Sequence, residues 1–354
     1  MMVLGIETSC DETAASVVEN QNTILSSIIS SQIQMHQPFG GVVPELASRR
    51  HVEVIDAIVH QAISEAGVTK EDIDLLAVTE GPGLIGSLLV GVTFAKAMAF
   101  AWGKRLVGVD HLEAHLFASK MENPRITFPY LSLIVSGGHT LLVLVKEVGD
   151  YDVLGSTIDD AAGEAFDKVA RILGLGYPGG PVIDRMSKQG DPRAIVFPRP
   201  LIHQNNFNFS FSGLKTAVLY CLRGYGAKSK EISEWEKEKK ADLVASFQEA
   251  VVDVLIHKAL RAAEKHDLKQ IAVGGGVGAN SRLREKFCDI AASRGLEVFF
   301  PSLKMCTDNA AMIAGLACAK EKAGLYQEKK TLRAYPNANF LEGKKRKKTW
   351  KKHG

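Results

Sequence analysis

The segment YLSLIVSGGHTLLVLVKE, residues 130–147, decides the predicted fold, because it reads as a strand, a tight turn at 136–138 and a second strand. The opening of the chain has the same form, with VLGIE at 3–7, a turn of small polar residues, and TAASVVE at 13–19. Further strand and helix patterns follow each hairpin. Two α/β halves that begin alike predict a duplicated bilobal fold with a cleft between the lobes.

Actin, the heat-shock ATPases and the sugar kinases share this architecture, known as ASKHA, in which each hairpin turn offers backbone N–H groups to phosphates. We therefore predict an α/β protein of that class. The predicted division is an N-terminal lobe, 1–128, with part of 324–340 packing back on it, a C-terminal lobe, 129–323, and a basic tail, 341–354.

The motif DHLEAH, residues 110–115, predicts a metal site. A spacing of four on a helix brings His111 and His115 within about 40° of each other, so that both imidazoles can bind one ion. Asp110 is a favourable N-cap, and the positive end of the helix dipole favours neutral rings in the first turn. An amphipathic helix with two incidental histidines is the alternative.

A third ligand is needed, since two histidines leave a metal site incomplete. Asp308, in TDNAAM at 307–312, is the best candidate, although a simple helix cap is the alternative role. It falls in the predicted second lobe, so that a shared ion would join both lobes. Glu113 lies about 200° round the helix from His111, unlike the glutamate of the protease motif H-E-x-x-H, which disfavours a metalloprotease.

Composition predicts a globular protein of one large or two medium domains, with 354 residues, 46% hydrophobic and 23% charged. The five cysteines are odd in number and lack C-x-x-C spacing, which favours a reduced cytosol. The opening residues predict no signal peptide. No run is expected to reach the length needed to cross a bilayer, since Lys96 interrupts the most apolar one, near 88–102. We expect a cytoplasmic protein with no membrane association.

Charge is concentrated at the end of the sequence. The net charge is +3, but KKRKKTWKKHG, from 344 onward, holds seven of the 43 Lys and Arg residues, which leaves 36 against 40 acidic ones. Such a tail can attract RNA, with Trp350 available for stacking, or can simply be solvated.

Other segments offer polar groups to a ligand. Asp11 lies at the tip of the first hairpin, and Asp167 and Asp184 can accept hydrogen bonds from a ribose or another hydroxylated ligand, although each is equally consistent with a solvated surface acid. The run GGGVGAN, 274–280, is typical of close contact with a nucleotide but is a weak signal alone. Arg49, Arg50 and His51 are predicted to form a small basic cluster.

Taken together, these motifs resemble the TsaD family, the tRNA threonylcarbamoyladenosine synthase subunit once catalogued as an O-sialoglycoprotein endopeptidase. The resemblance extends to about residue 340 and excludes the basic end. Its most specific motifs are GIETSCDET at 5–13, FGGVVPELASRRH at 39–51, HLEAH at 111–115, SGGHT at 136–140 and GGGVGAN at 274–280.

The resemblance implies transfer of a threonylcarbamoyl group from L-threonylcarbamoyl-AMP to the adenosine 3′ of the anticodon in tRNAs reading ANN codons. It implies one divalent metal, iron(II) first and zinc second, on His111, His115 and Asp308. Asp11 is our hypothesised catalytic proton acceptor or orienter. The implied substrate contacts are Ile134, Val135, Ser136, Gly137, Gly138, Asp167, Gly180, Asp184 and Asn280.

The implied partners are the tRNA, an adenylate-forming synthase that supplies the donor and, if the source is bacterial, an inactive paralogous subunit like TsaB and a small ATPase like TsaE. Competing functions are an ATPase or small-molecule kinase of the same fold, a metalloprotease, and a non-catalytic scaffold. The intact set of candidate ligands disfavours the last of these.

Overall fold

The computed structural model describes residues 1–223, 237–326 and 332–337. The described residues form two compact units, one made of those in 1–124 and from 307 onward, the other of those in 125–306. The predicted second lobe, 129–323, was therefore wrong at its C-terminal end. The predicted basic tail, 341–354, lies outside the described residues.

Each unit is built on a five-stranded mixed sheet, and the two sheets have the same topology. The first has the order β3-β2-β1-β4-β5, and the second, read from its β8 edge, has the order β8-β7-β6-β9-β10. In each, the first three strands form an antiparallel meander and the last two run parallel to the first. The predicted duplication is confirmed. The strands are β1 Met2–Glu7, β2 Glu12–Glu19, β3 Thr23–Ser31, β4 Leu75–Gly81, β5 Arg105–Asp110, β6 Tyr130–Val135, β7 Thr140–Glu147, β8 Asp150–Ser156, β9 Gln270–Gly274 and β10 Glu297–Phe299.

Helices cover the sheets, and the described part of the chain also has short 3-10 turns at Gln37–Phe39 and Gly276–Ala279. The α-helices are α1 Ile33–His36, α2 Pro44–Ala66, α3 Ile85–Trp102, α4 His111–Glu122, α5 Ala162–Ile172, α6 Gly179–Ser187, α7 Ser212–Arg223, α8 Lys237–Lys265, α9 Ser281–Ser293, α10 Leu303–Cys306 and α11 Ala310–Lys322. The second unit buries its core among α5 to α9 and the sheet formed by β6 to β10.

The first unit buries apolar side chains on both faces of its sheet. Leu4 and Ile6 of β1 pack in one cluster with α2 and α3. Side chains alternate along a strand, so a side chain at the position of Gly5 would face the opposite side of the sheet. There α11 crosses so closely that a Cβ at Gly5 would lie 2.4 Å from the carbonyl oxygen of Ala310. The return of the chain after residue 306 thus brings α11, and Asp308 just before it, onto the first sheet.

The α3 helix is long and apolar enough to cross a membrane by length and composition, with a mean hydropathy of 1.6 over 18 residues. The expectation that no run would reach that length was wrong. One face of this helix, through Leu88, Val92 and Ala95, packs in the core of the first unit.

Replacing Gly5 with Ala tests the contact between β1 and α11. The added methyl group meets backbone that cannot rotate away, so we expect the free energy of unfolding to fall by about 1–3 kcal/mol and the melting temperature to drop by several degrees. Gly213→Ala is the control, because no atom lies within 4 Å of the added Cβ there. Equal melting temperatures for wild type and Gly5→Ala would contradict the packing described.

Candidate metal centre and ligand-binding residues

Asp110, the residue before α4, caps the N-terminus of that helix. Asp110 Oδ1 accepts hydrogen bonds from the backbone N–H groups of Leu112 and Glu113, at 2.9 and 3.1 Å, as the sequence predicted for an N-cap. Its Oδ2 accepts a 2.9 Å bond from the Tyr335 hydroxyl, and Tyr335 also donates its backbone N–H to Glu80. The C-terminal segment 332–337 therefore holds in place the helix that carries both histidines.

The two histidines meet Asp308 inside the first unit. His115 Nε2 lies 3.2 Å and His111 Nε2 3.5 Å from Asp308 Oδ1. The α11 helix is capped by Asn309, whose side chain accepts from Met312 N–H, so the Asp308 carboxylate is not the cap. The prediction that the three ligands come from opposite lobes was wrong, because Asp308 belongs to the same unit as α4.

These three groups fit a divalent metal. The candidate ligand atoms all lie within 4.8 Å of one another. Two atoms bonded at about 2.1 Å to one ion, at angles of 90–110°, are about 3.0–3.4 Å apart, close to the separations found here. Two imidazoles and one carboxylate suit iron or zinc and leave coordination positions open. The buried His115 Nδ1 lacks a hydrogen-bond partner in the described structure. The hydrogen bond between this imidazole and Asp308 is made through the other nitrogen, Nε2.

The two imidazoles differ in charge. Burial alone would lower the pKa of His111, but the carboxylates of Asp308 and Glu7 raise it to about 9. Burial lowers the pKa of His115, with His111 adding to the effect. Burial therefore favours the neutral form of His115, whereas the neighbouring carboxylates favour the charged form of His111, contrary to the expectation that the helix dipole keeps both rings neutral.

Glu7 is a residue of this site that sequence reasoning missed. It is fully buried at the end of β1, and its Oε2 lies 3.0 Å from His111 Nδ1. The signal was an acidic residue closing an otherwise apolar strand, VLGIE, where a buried carboxylate needs partners.

Asp11 lies at the buried tip between β1 and β2. The pKa of its neighbour Glu12 is raised to about 10 by burial and by the carboxylates of Asp308 and Asp11. Of these two carboxylates, Asp11 is the one hydrogen-bonded to Glu12. The tip is supported by His51, whose ring bonds the Cys10 carbonyl and the Thr13 hydroxyl. His51 is buried and its pKa is lowered by that burial, so it does not form a basic surface cluster with its arginine neighbours.

In the second unit, the glycine turn after β6 leaves its backbone open. Gly137 and Gly138 have no atom within 4 Å of an added Cβ, and Ser136 closes the turn through a hydrogen bond from its N–H to the His139 carbonyl. Ile134 and Val135 have fully buried side chains, so only their backbone groups can meet a ligand. Helix α5 packs against this turn, where a Cβ on Gly163 would lie 2.6 Å from the Ser136 carbonyl oxygen.

The other predicted contacts are joined pairwise in the same unit. Asp167 of α5 accepts the N–H of Gly179, the residue before Gly180, at 2.7 Å. Asp184 of α6 accepts from the hydroxyl of Ser281 at 2.9 Å. Asn280 caps α9 by accepting from Leu283 N–H at 2.9 Å, and donates to Gln248 at 2.7 Å. The structure therefore brings α5, α6 and the start of α9 together, with Asp167 and Asp184 already engaged by the protein's own donors.

Glu113 is directed to α11, where its carboxylate pairs with Lys320. It does not take the place of the glutamate that serves as base in H-E-x-x-H proteases.

Comparison with solved structures shows the fold. A HypF from T. kodakarensis superposes with a TM-score of 0.59 at 14% identity, covering 92% of this chain and 48% of its own. The Acidaminococcus fermentans (R)-2-hydroxyglutaryl-CoA dehydratase component A gives a TM-score of 0.51 at 15% identity, with 92% and 99% covered. The duplicated fold is thus of the ASKHA type.

Sequence comparison shows the family. A Clostridium botulinum (strain Hall) protein named tRNA N6-adenosine threonylcarbamoyltransferase is 53% identical over 315 residues, 89% of this chain and 91% of the relative. A Clostridium perfringens (strain SM101) protein of the same name is 51% identical over 341 residues, 96% and 98%. The family model for TsaD, tRNA N6-adenosine threonylcarbamoyltransferase, matches residues 23–315. The chain belongs to the TsaD family.

Proposed function

We propose that the chain transfers the threonylcarbamoyl group of L-threonylcarbamoyl-AMP to the N6 amine of the adenosine 3′ of the anticodon, in tRNAs that read ANN codons, and releases AMP. The observation that carries this proposal is the meeting of His111, His115 and Asp308 within a chain that is 53% identical to a named transferase of that class.

The metal proposed for this centre is iron(II), with zinc as the second choice. His111 Nε2, His115 Nε2 and the Asp308 carboxylate would hold it, since imidazole nitrogen and carboxylate oxygen suit both ions. When bound, such an ion supplies Lewis-acid polarisation of a carbonyl and orients an acyl donor.

The residues of the second unit are assigned to the adenylate part of the donor. The open backbone at Gly137 and Gly138 can donate N–H groups to a phosphate. Ile134, Val135 and Ser136 are assigned to the same ligand as the residues that lead into this turn, where the Ser136 N–H is bonded to the His139 carbonyl. We assign the nucleoside to Asp167, Gly180, Asp184 and Asn280, which the contacts among α5, α6 and α9 keep together.

Asp11 is proposed as the proton acceptor. In the transfer, the adenine N6 forms a bond to the carbamoyl carbon, the bond from that carbon to the AMP phosphate oxygen breaks, and N6 loses one proton. Because burial and the nearby carboxylates raise the pKa of Glu12 to about 10, Glu12 keeps its own proton at neutral pH and leaves Asp11 as the acceptor of this pair.

The proposed partners are the tRNA, a TsaB-like paralogous subunit, a TsaE-like ATPase and the adenylate-forming synthase, all in the cytoplasm. The decisive assay mixes the purified chain, these proteins, threonylcarbamoyl-AMP labelled in its threonine and an ANN-reading tRNA. Label in the nucleoside supports the proposal, and a tRNA with guanosine at the target position is the control. Phosphate release from ATP by the chain alone, without transfer of label, would favour a simple ATPase instead.

Asp11→Asn tests the proton acceptor. The amide keeps the size of the side chain but cannot take up the N6 proton, so single-turnover transfer should fall about 10²- to 10⁴-fold while donor binding is retained. Asp267→Asn is the control, because Asp267 is 94% exposed. A wild-type single-turnover rate in Asp11→Asn would remove this role.

The pH dependence of metal binding tests the charge of the centre. The pKa of His111 is raised to about 9 in the metal-free protein, so below that pH a metal must displace a proton from its Nε2. Affinity for Co²⁺ should therefore rise about tenfold per pH unit between pH 6 and 8. Calorimetry in two buffers of different ionisation enthalpy should find about one proton released, whereas a pH-independent affinity would contradict the account.

A further inference from the structure

Glu7 faces three donors and no solvent. Its Oε2 lies 3.0 Å from His111 Nδ1 and accepts a 2.7 Å bond from the Thr79 hydroxyl, while its Oε1 accepts the backbone N–H of Ser9 at 2.5 Å. Thr79 lies on β4, which runs parallel to β1 in the sheet. Two neighbouring strands and the hairpin turn therefore hold this carboxylate in one orientation.

That orientation determines which nitrogen of His111 carries a proton. A carboxylate only accepts hydrogen bonds, so its neighbour Nδ1 must be the N–H donor. Nε2 is then the nitrogen of the neutral ring with a free lone pair, and it is the one that lies 3.5 Å from Asp308. The Ser9 hydroxyl, at 3.3 Å from Nδ1, is a longer and uncharged alternative partner.

The two histidines are unequal in this respect. His115 Nδ1 is buried without a hydrogen-bond partner among the described residues, so its ring is oriented by packing, including an edge contact with the His111 ring, and by Asp308. His111 has a carboxylate behind it, the arrangement by which proteins fix a ring and increase its basicity towards an ion.

We propose that Glu7 is a positioning residue of the metal centre, which holds His111 with Nδ1 protonated and Nε2 directed at the ion. This inference rests on the proposed metal centre at His111, His115 and Asp308. Glu7 does not touch the substrate; it acts through His111.

The test is Co²⁺ affinity and the cobalt absorption spectrum of Glu7→Gln. The glutamine amide keeps the shape of the Glu7 side chain, but its NH2 group replaces one of the two oxygens that accept hydrogen bonds. The negative charge beside His111 Nδ1 is also lost. We expect affinity to fall about 10- to 100-fold, with a changed ligand-field spectrum at saturating Co²⁺ and a metal-free melting temperature within a few degrees of wild type. The matched control is Ser9→Ala, which removes the other contact to Nδ1 and should change the affinity less than about twofold.

Each outcome is decisive. Wild-type affinity in Glu7→Gln would overturn the inference while leaving the metal centre intact, and a large loss in Ser9→Ala would transfer the role to the hydroxyl. If Glu7→Gln does not fold, Glu7→Asp, which withdraws the carboxylate from Nδ1, takes its place with the same expectation. Failure of both to fold would make Glu7 a purely structural residue. No Co²⁺ binding by the wild type would remove the metal centre itself, and this inference with it.

Discussion

One carboxylate oxygen, Asp308 Oδ1, has two imidazole nitrogens within 3.5 Å of it, and the first unit is arranged to make that meeting possible. The histidines are a turn apart on α4, and Asp308 arrives from the far end of the chain, just before α11. It reaches them only because α11 packs on the first sheet, where Gly5 permits the close approach. The position of Asp308 beside the two histidines therefore depends on the packing of α11 against Gly5.

The buried charges follow from the same arrangement. Glu7, which is fully buried, and Asp308, whose side chain is 23% exposed, are carboxylates on either side of His111, and a carboxylate without a partner is costly to remove from water. Their negative charge raises the pKa of His111 to about 9 in spite of its burial, so that a proton on this ring partly balances them. A divalent ion would supply that positive charge in its place, so that metal and proton compete for the same position.

Local pattern was sufficient for much of the structure. Both hairpins and the Asp110 cap were predicted because each depends on residues a few positions apart. The pairing of Glu7 with His111 spans 104 positions, and the membership of α11 in the first unit depends on how the chain returns after residue 306. Neither leaves a periodic signal. His51 was misjudged for a related reason, since its neighbours Arg49 and Arg50 are exposed while its own side chain turns inward to Cys10 and Thr13.

We propose that His111, His115 and Asp308 together bind one metal ion. Anomalous diffraction at the iron absorption edge, on protein purified without oxygen, tests it most directly. We expect a single peak bonded to both Nε2 atoms and to the Asp308 carboxylate. The absence of a peak there in iron- or zinc-loaded crystals, or a peak ligated by other residues, would contradict it.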